Sequence, residues 1–194
     1  VSPVTEKGTQ TREAILDRAV DLASVEGLEG LTIGRLAAEL RMSKSGLFAH
    51  FGSKQDLQLA TIEAAAARFR TVVVEPALQL PAGAARLRAL AGRYLEQTDS
   101  YSGGCFWAAT SAEYDDRPGP VRDAIAASLD AWLAGLEREA RTAGVEHPKR
   151  LAFEVYSLVT GANSRYRLTG DERVFGYARA AIEDLLAGLP GQTG

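Results

Sequence analysis

Residues 31–54 read Leu31-Thr32-Ile33-Gly34-Arg35-Leu36-Ala37-Ala38-Glu39-Leu40-Arg41-Met42-Ser43-Lys44-Ser45-Gly46-Leu47-Phe48-Ala49-His50-Phe51-Gly52-Ser53-Lys54. Thr32 stands before Ile33, Leu36, Ala37 and Leu40, whose spacing puts them on one side of a helix of about two turns. Its hydroxyl suits the free N–H groups of a first turn. Arg41 and Met42 lead to Ser43, a second capping residue. Leu47, Phe48 and Phe51 then supply the inward face of another short helix, which Gly52 ends. Two short helices joined by a tight turn have the layout of a helix-turn-helix, whose second helix enters a DNA major groove.

Outward from this stretch the chain reads as all-α. A first helix is expected from Thr11 to Gly27 on the stripe Ile15, Leu16, Ala19, Leu22 and Ala23. Ser53-Lys54-Gln55-Asp56 reads as a capping box with Asp in place of Glu. It opens a long helix to about Val74, before Pro76. Further helices are expected over Ala84–Thr98, Cys105–Tyr114, Val121–Ala143, Pro148–Leu168 and Asp171–Leu189, with Pro190 stopping the last. No repeat of constant period appears. The helix opening at Ser53 serves both parts of the chain, so no flexible linker separates them.

The 194 residues are 46% hydrophobic and 24% charged, with a formal net charge of −3. That balance excludes a disordered or low-complexity chain. Cys105 stands alone, so neither an internal disulfide nor a cysteine zinc cluster can form, which suits a reducing compartment. No apolar run approaches the roughly 20 residues of a membrane span. The polar start, Val1 to Arg12, lacks the apolar core of a secretory signal. A cytoplasmic protein without a membrane partner is expected.

By net charge alone, an acidic chain is a poor partner for phosphates. Residues 1–56 hold 7 Lys plus Arg against 8 Asp plus Glu. Yet Leu40 to Gln55 contains Arg41, Lys44, His50 and Lys54 and no acid, with Glu39 and Asp56 just outside. Positive charge is thus concentrated on a small face, and helix N-termini and hydroxyls add phosphate contacts that need no charge.

The run Leu31-Thr32-Ile33, Leu36-Ala37 and Met42 to Lys54, within residues 9–57, resembles the DNA-binding domain of the tetracycline-repressor (TetR/AcrR) family. The resemblance implies a dimeric, ligand-responsive transcriptional regulator, read as a repressor. Its helix-turn-helix domain of three helices would cover 9–57, followed over 58–190 by a larger helical bundle for ligand binding and dimerisation. It places Thr32 on a phosphate, Ser43, Lys44 and Ser45 at the base edges, and His50 and Lys54 on the backbone. Two positions depart from the family pattern. Arg41 replaces the usual turn Gly, at about 1–2 kcal/mol if left-handed, which a guanidinium beside DNA would offset. Phe48 replaces a Tyr whose hydroxyl reaches a phosphate, so one backbone contact should be missing.

The expected partners are double-stranded operator DNA, a small-molecule effector of unknown identity, and a second copy of the chain. Candidate effector-binding residues are Tyr94, Phe106, Trp107, Thr110, Trp132, Phe153 and Tyr156, because pockets between bundle helices are lined by aromatics with a few polar groups. Helix 148–168 carries two apolar stripes. Leu151, Val155, Leu158 and Val159, with Ala178, Ile182 and Leu185 of the last helix, are the candidate dimer interface. Glu113, Asp115, Asp116 and Asp123 lack a recognised ligand spacing and read as a solvated turn and helix start. Cys105 has no basic neighbour in sequence and reads as a structural thiol. No Gly-rich phosphate loop, serine-hydrolase elbow or paired metal motif occurs, so no cofactor, metal or enzymatic activity is expected.

Overall fold

In the computed structural model, which describes residues 3–187 and 189, the described residues form helices joined by short turns. In order these are α1 (Pro3–Gly30), α2 (Ile33–Leu40), α3 (Lys44–Phe51), α4 (Lys54–Phe69), a π turn (Arg70–Val74), α5 (Glu75–Leu78), α6 (Ala84–Glu96), a 3-10 turn (Gln97–Asp99), α7 (Phe106–Tyr114), α8 (Pro120–Thr142), α9 (Pro148–Thr169) and α10 (Arg173–Leu186). No helix among them is long and apolar enough to cross a membrane. Pro190, expected to stop the last helix, lies outside the described residues.

Three features differ from the sequence reading. The first helix begins at Pro3 rather than Thr11; the upstream residues Thr5 to Gln10 carry no apolar stripe that would have revealed it. Gly27, expected as a stop, is a break inside α1 (φ 77°, ψ 162°). Pro76 does not end the long helix. The π turn ahead of it widens the ladder, with the Glu75 N–H donating to the Arg70 carbonyl, and that shift accommodates a residue without an N–H.

The chain forms two compact units. The first comprises the described residues up to Arg68 together with Tyr101–Ala126; the second comprises Phe69–Ser100 and the described residues from Ala127 onward. In the first unit the core holds Ile15, Ala19, Leu28, Leu31, Leu36 and Leu47, all essentially inaccessible to solvent. This unit packs α7 against α1, so a segment from the middle of the chain joins the N-terminal helices. In the second unit Leu87, Leu136, Val155, Val159 and Leu186 centre one apolar cluster shared by α6, α8, α9 and α10. There the buried Glu139 carboxylate accepts from the Gly83 N–H (2.9 Å) and from Arg86 (3.3 Å), tying the start of α6 to α8.

Candidate nucleic-acid interface

The turn between α2 and α3 is built by local hydrogen bonds. Thr32, extended at φ −122°, accepts the Arg35 N–H on its hydroxyl at 3.0 Å. Ser43 does the same for Gly46 at 3.1 Å. Each hydroxyl uses a lone pair here and keeps its proton to donate outward. Arg41 is left-handed (φ 53°, ψ 37°), and Met42 N–H closes the turn on the Ala37 carbonyl at 2.9 Å. Among the described residues Arg41 alone has a positive φ without being glycine, so the expected strain of about 1–2 kcal/mol is present. Its side chain is exposed.

On α3, at about 100° per residue, Lys44, Phe48, Ser45 and Ala49 occupy one continuous arc, and all four are exposed. Leu47 and Phe51 turn the other way and are buried. Phe48, expected in the core, is 56% exposed. The correction is geometric: Phe48 lies one turn beyond Lys44, and the inward side is already filled by Leu47 and Phe51. Lys44 lies over the first turn of α2, where Gly34 leaves a notch. A β-carbon on Gly34 would stand 3.4 Å from Lys44 Cε, 3.7 Å from its Nζ and 3.9 Å from Thr32 Oγ1. Lys44 and Thr32 are therefore brought together at a helix N-terminus, a natural phosphate seat. His50 falls outside the arc, half-buried, its ring tilted 6.1 Å from that of Phe51.

Lys54 stands apart from these residues, its ammonium 2.5 Å from Glu29 Oε1. That hydrogen bond, opposed by burial and helped by one from Tyr114, holds the Glu29 carboxyl below its usual range. Arg35 pairs with Glu26 (2.7 Å) and Glu39 (2.8 Å), and Arg18 pairs with Glu39 and Asp21. The bonds from Arg18 and then Arg35 keep Glu39 charged by lowering its pKa. Asp56 takes the Ser53 hydroxyl at 2.6 Å and gives Ser53 its capping role toward the Asp56 N–H at 3.0 Å. The acids that flank the basic stretch are thus engaged within the unit, and the arc of α3 is left with a net positive charge.

A second set of contacts was illegible in the sequence. Glu113 of α7 accepts the Leu28 N–H at 2.7 Å and the Glu29 N–H at 2.9 Å, so its carboxylate clips the backbone beyond the Gly27 break. Gln58 of α4 donates to the Leu28 carbonyl (2.6 Å) and to Tyr114 Oη (3.1 Å), while Tyr114 donates to Glu29 (3.1 Å). Burial, then that bond, pushes the Tyr114 phenol up to about 12. Glu113 is therefore no solvated turn residue. Its partners lie 84 and 85 positions away, and no local spacing signals that. Cys105 is buried, and burial pushes its thiol up, the opposite of a reactive thiolate.

The candidate effector residues divide between the units. Tyr94 and Trp132 form a buried aromatic cluster with Phe69 in the second unit, ring centroids 4.9–5.7 Å apart. Tyr156 packs partly buried against that core. Phe106, Trp107 and Thr110 are buried in the first unit, where the Thr110 hydroxyl donates back to the Phe106 carbonyl at 2.9 Å. Phe153 is 63% exposed and does not point into the bundle.

The dimer stripe needs a similar correction. Leu151, Val155, Val159, Ala178 and Ile182 are buried within the protomer's own core, so they are closed to a partner. Two apolar stripes of equal period leave the inward one undecided, and packing against α10 and α6 chose this one. Leu158 and Leu185 are only half-buried. They line an open groove between α9 and α10 with Phe153, Ser157 and Ala181.

Residues 15–61 match the model described as bacterial regulatory proteins, tetR family, and residues 83–182 match that of the tetracyclin repressor-like C-terminal domain. A 73-residue stretch is 38% identical to the HTH-type transcriptional repressor AcnR of Corynebacterium glutamicum, covering 38% of this chain and 39% of that protein. The match thus spans about two-fifths of that relative's length. The fold is similar to that of a TetR-family transcriptional regulator from Streptomyces coelicolor, with 25% identity, a TM-score of 0.80, and 98% of this chain and 97% of that one covered. It is also similar to AibR, solved in complex with isovaleryl coenzyme A and operator DNA, with 22% identity, a TM-score of 0.71 and coverage of 88% and 97%.

Proposed function

This chain belongs to the tetR family of bacterial regulatory proteins and is a transcriptional regulator, not an enzyme; from that premise we propose that it is a dimeric, cytoplasmic repressor of palindromic operator DNA, released by a small-molecule effector. The observation that carries the DNA reading is the pair of capped short helices around the left-handed Arg41, with Lys44 reaching over the notch at Gly34 in the turn that Thr32 caps. Thr32 and Lys44 hold phosphate, Ser43 and Ser45 open the recognition helix, and Arg41, His50 and Lys54 add backbone contacts.

Dimerisation uses the outer face of α9 and α10. Phe153 and Tyr177 are there more than 60% exposed, at 63% and 66%, and Leu158 and Leu185 line the groove between them. Paired recognition helices must meet successive major grooves about 34–36 Å apart, so an effector that alters their separation weakens both half-sites at once. A coupling of about 1–3 kcal/mol suffices. The aromatic cluster of Phe69, Tyr94 and Trp132 is the effector's place in the second unit. The buried Trp132 Nε1, without an acceptor among the described residues, is the donor it would meet. AibR, solved with an acyl coenzyme A and operator DNA, is a relative in fold that works with both kinds of partner.

The test is a mobility-shift titration with the intergenic DNA beside the protein's own gene. Lys44→Ala and Ser45→Ala proteins should lose affinity, and the wild-type complex should weaken as salt is raised. Unchanged affinity and sequence preference in both variants would overturn the assignment. Sedimentation of Leu158→Glu, expected as a monomer, checks the interface.

A further inference from the structure

The exposed arc of α3 is unusual for a surface meant to read DNA by hydrogen bonds. It carries Lys44, Ser45, Phe48 and Ala49, with no Arg, Asn or Gln to make a two-pronged bond to guanine or adenine. Lys44 is drawn aside to the start of α2, its Nζ 3.7 Å from where a Gly34 β-carbon would stand, where its charge serves a phosphate. The side chains left facing outward are one hydroxyl, one methyl and one phenyl ring. Phe48 lies at the middle of the arc, 56% exposed, and a phenyl ring has no group to offer a phosphate oxygen. In the major groove the single apolar feature of a base pair is the 5-methyl group of thymine, and Phe and Ala are side chains that contact it.

We infer that Phe48, assisted by Ala49, reads thymine methyl groups in the operator, and that this apolar readout, more than hydrogen bonding, sets the sequence preference of the recognition helix. The inference rests on the DNA-binding reading above and adds the base that is recognised and the residue that recognises it. Lys44 and Thr32 then fix the helix on the backbone while Ser45 makes the remaining polar base contact.

The full chain is used to select duplexes from a random-sequence library, and each thymine of the selected half-site is then replaced singly by uracil, which removes only the methyl group. At one or two positions the wild-type protein should lose about fourfold in affinity, the value of one buried methyl. Phe48→Ala should bind more weakly and show no difference between thymine and uracil there. Phe48→Leu, which keeps an apolar side chain, should retain part of the dependence and supplies the readout if Phe48→Ala does not bind. Selected half-sites without thymine, a wild-type protein indifferent to every uracil, or variants as sensitive as wild type at the same positions would each overturn the inference while leaving DNA binding intact. Failure to select any sequence would instead overturn the DNA-binding reading.

Discussion

Replacing Glu113 by Ala removes the acceptor of two backbone N–H groups at the end of α1. The Leu28 N–H, 2.7 Å from the carboxylate, belongs to a residue with no solvent exposure, whereas the Glu29 N–H at 2.9 Å is exposed. A buried donor left unmade costs about 1–3 kcal/mol, and the exposed one, which water can satisfy, loses about 1 kcal/mol of charge-assisted bonding. The sum is about 2–4 kcal/mol. For a chain of this length that corresponds to a drop in Tm of roughly 5–15 °C. Gly27 gives an internal check, because its φ of 77° and ψ of 162° suit only glycine. A β-carbon there would also stand 2.6 Å from Glu113 Oε1. Gly27→Ala is therefore destabilised by backbone strain and by the carboxylate together. In Gly27→Ala/Glu113→Ala the second part vanishes, and urea unfolding followed by circular dichroism should show a double mutant at least about 1 kcal/mol more stable than the sum of the singles predicts. Additive effects, or a Glu113→Ala loss under about 0.5 kcal/mol, would refute the clip.

Glu139→Ala should cost about 1–3 kcal/mol in the second unit, because it leaves the buried Gly83 N–H without its acceptor while Arg86 keeps its bonds to the Leu78 and Leu80 carbonyls; thermal unfolding of the variant measures it. Acid should loosen the first unit. For Asp21, burial is outweighed by hydrogen bonding from Ser102 and by the charges of Arg18 and Arg68, and the net shift is downward; Glu29 and Glu39 are also lowered. Groups lowered by folding stabilise above the ordinary carboxylate range and lose that contribution as pH falls through their folded values. The hydrogen-exchange protection factors of α1 and α2, taken relative to the intrinsic rate at each pH, should therefore fall below about pH 4, and protection factors unchanged with pH would contradict the pairings. Glu29→Gln releases Lys54 from its partner, so affinity for DNA should rise and the salt slope steepen by about one per half-site. Lys54→Ala should reverse both.

Helix existence was legible because the stripes Ile15 to Ala23 and Leu87 to Leu95 repeat at helical spacing over several turns. Thr32 and Ser43 were legible because capping is a property of a few neighbouring residues. Phe48 and the α9 stripe were not, since an apolar residue signals only that some face is apolar. Whether that face meets a core or the outside is decided by residues distant in sequence. Leu151 and Val155 were drawn inward by α10 and α6, leaving Phe153 outside. The candidate effector residues meet the same limitation: Phe106 and Trp107 have the composition of a bundle pocket, and only the fold shows that they belong to the unit that holds the helix-turn-helix. Glu113 was least legible, because a carboxylate that caps a helix end 85 residues away has no signature in its own neighbourhood.

The net charge of −3 acquires a different meaning once its carboxylates are placed. Glu26, Glu39 and Asp21 engage Arg35 and Arg18, and Glu29 engages Lys54, so much of the acid near the helix-turn-helix offsets basic side chains that would otherwise draw DNA without regard to sequence. Of the two lysines in the acid-free stretch, Lys54 must leave Glu29 to reach a phosphate, while Lys44 already lies over Gly34 in the first turn of α2. Each neutralised phosphate adds to non-specific and specific binding alike. On the readout proposed above, restricting their number lowers the background against which base contacts compete, and the apolar arc around Phe48 would supply discrimination that salt does not screen. Under that proposal the acidic chain and the apolar recognition helix are parts of one arrangement: weak attraction to any DNA, and preference conferred by shape and methyl groups at the operator.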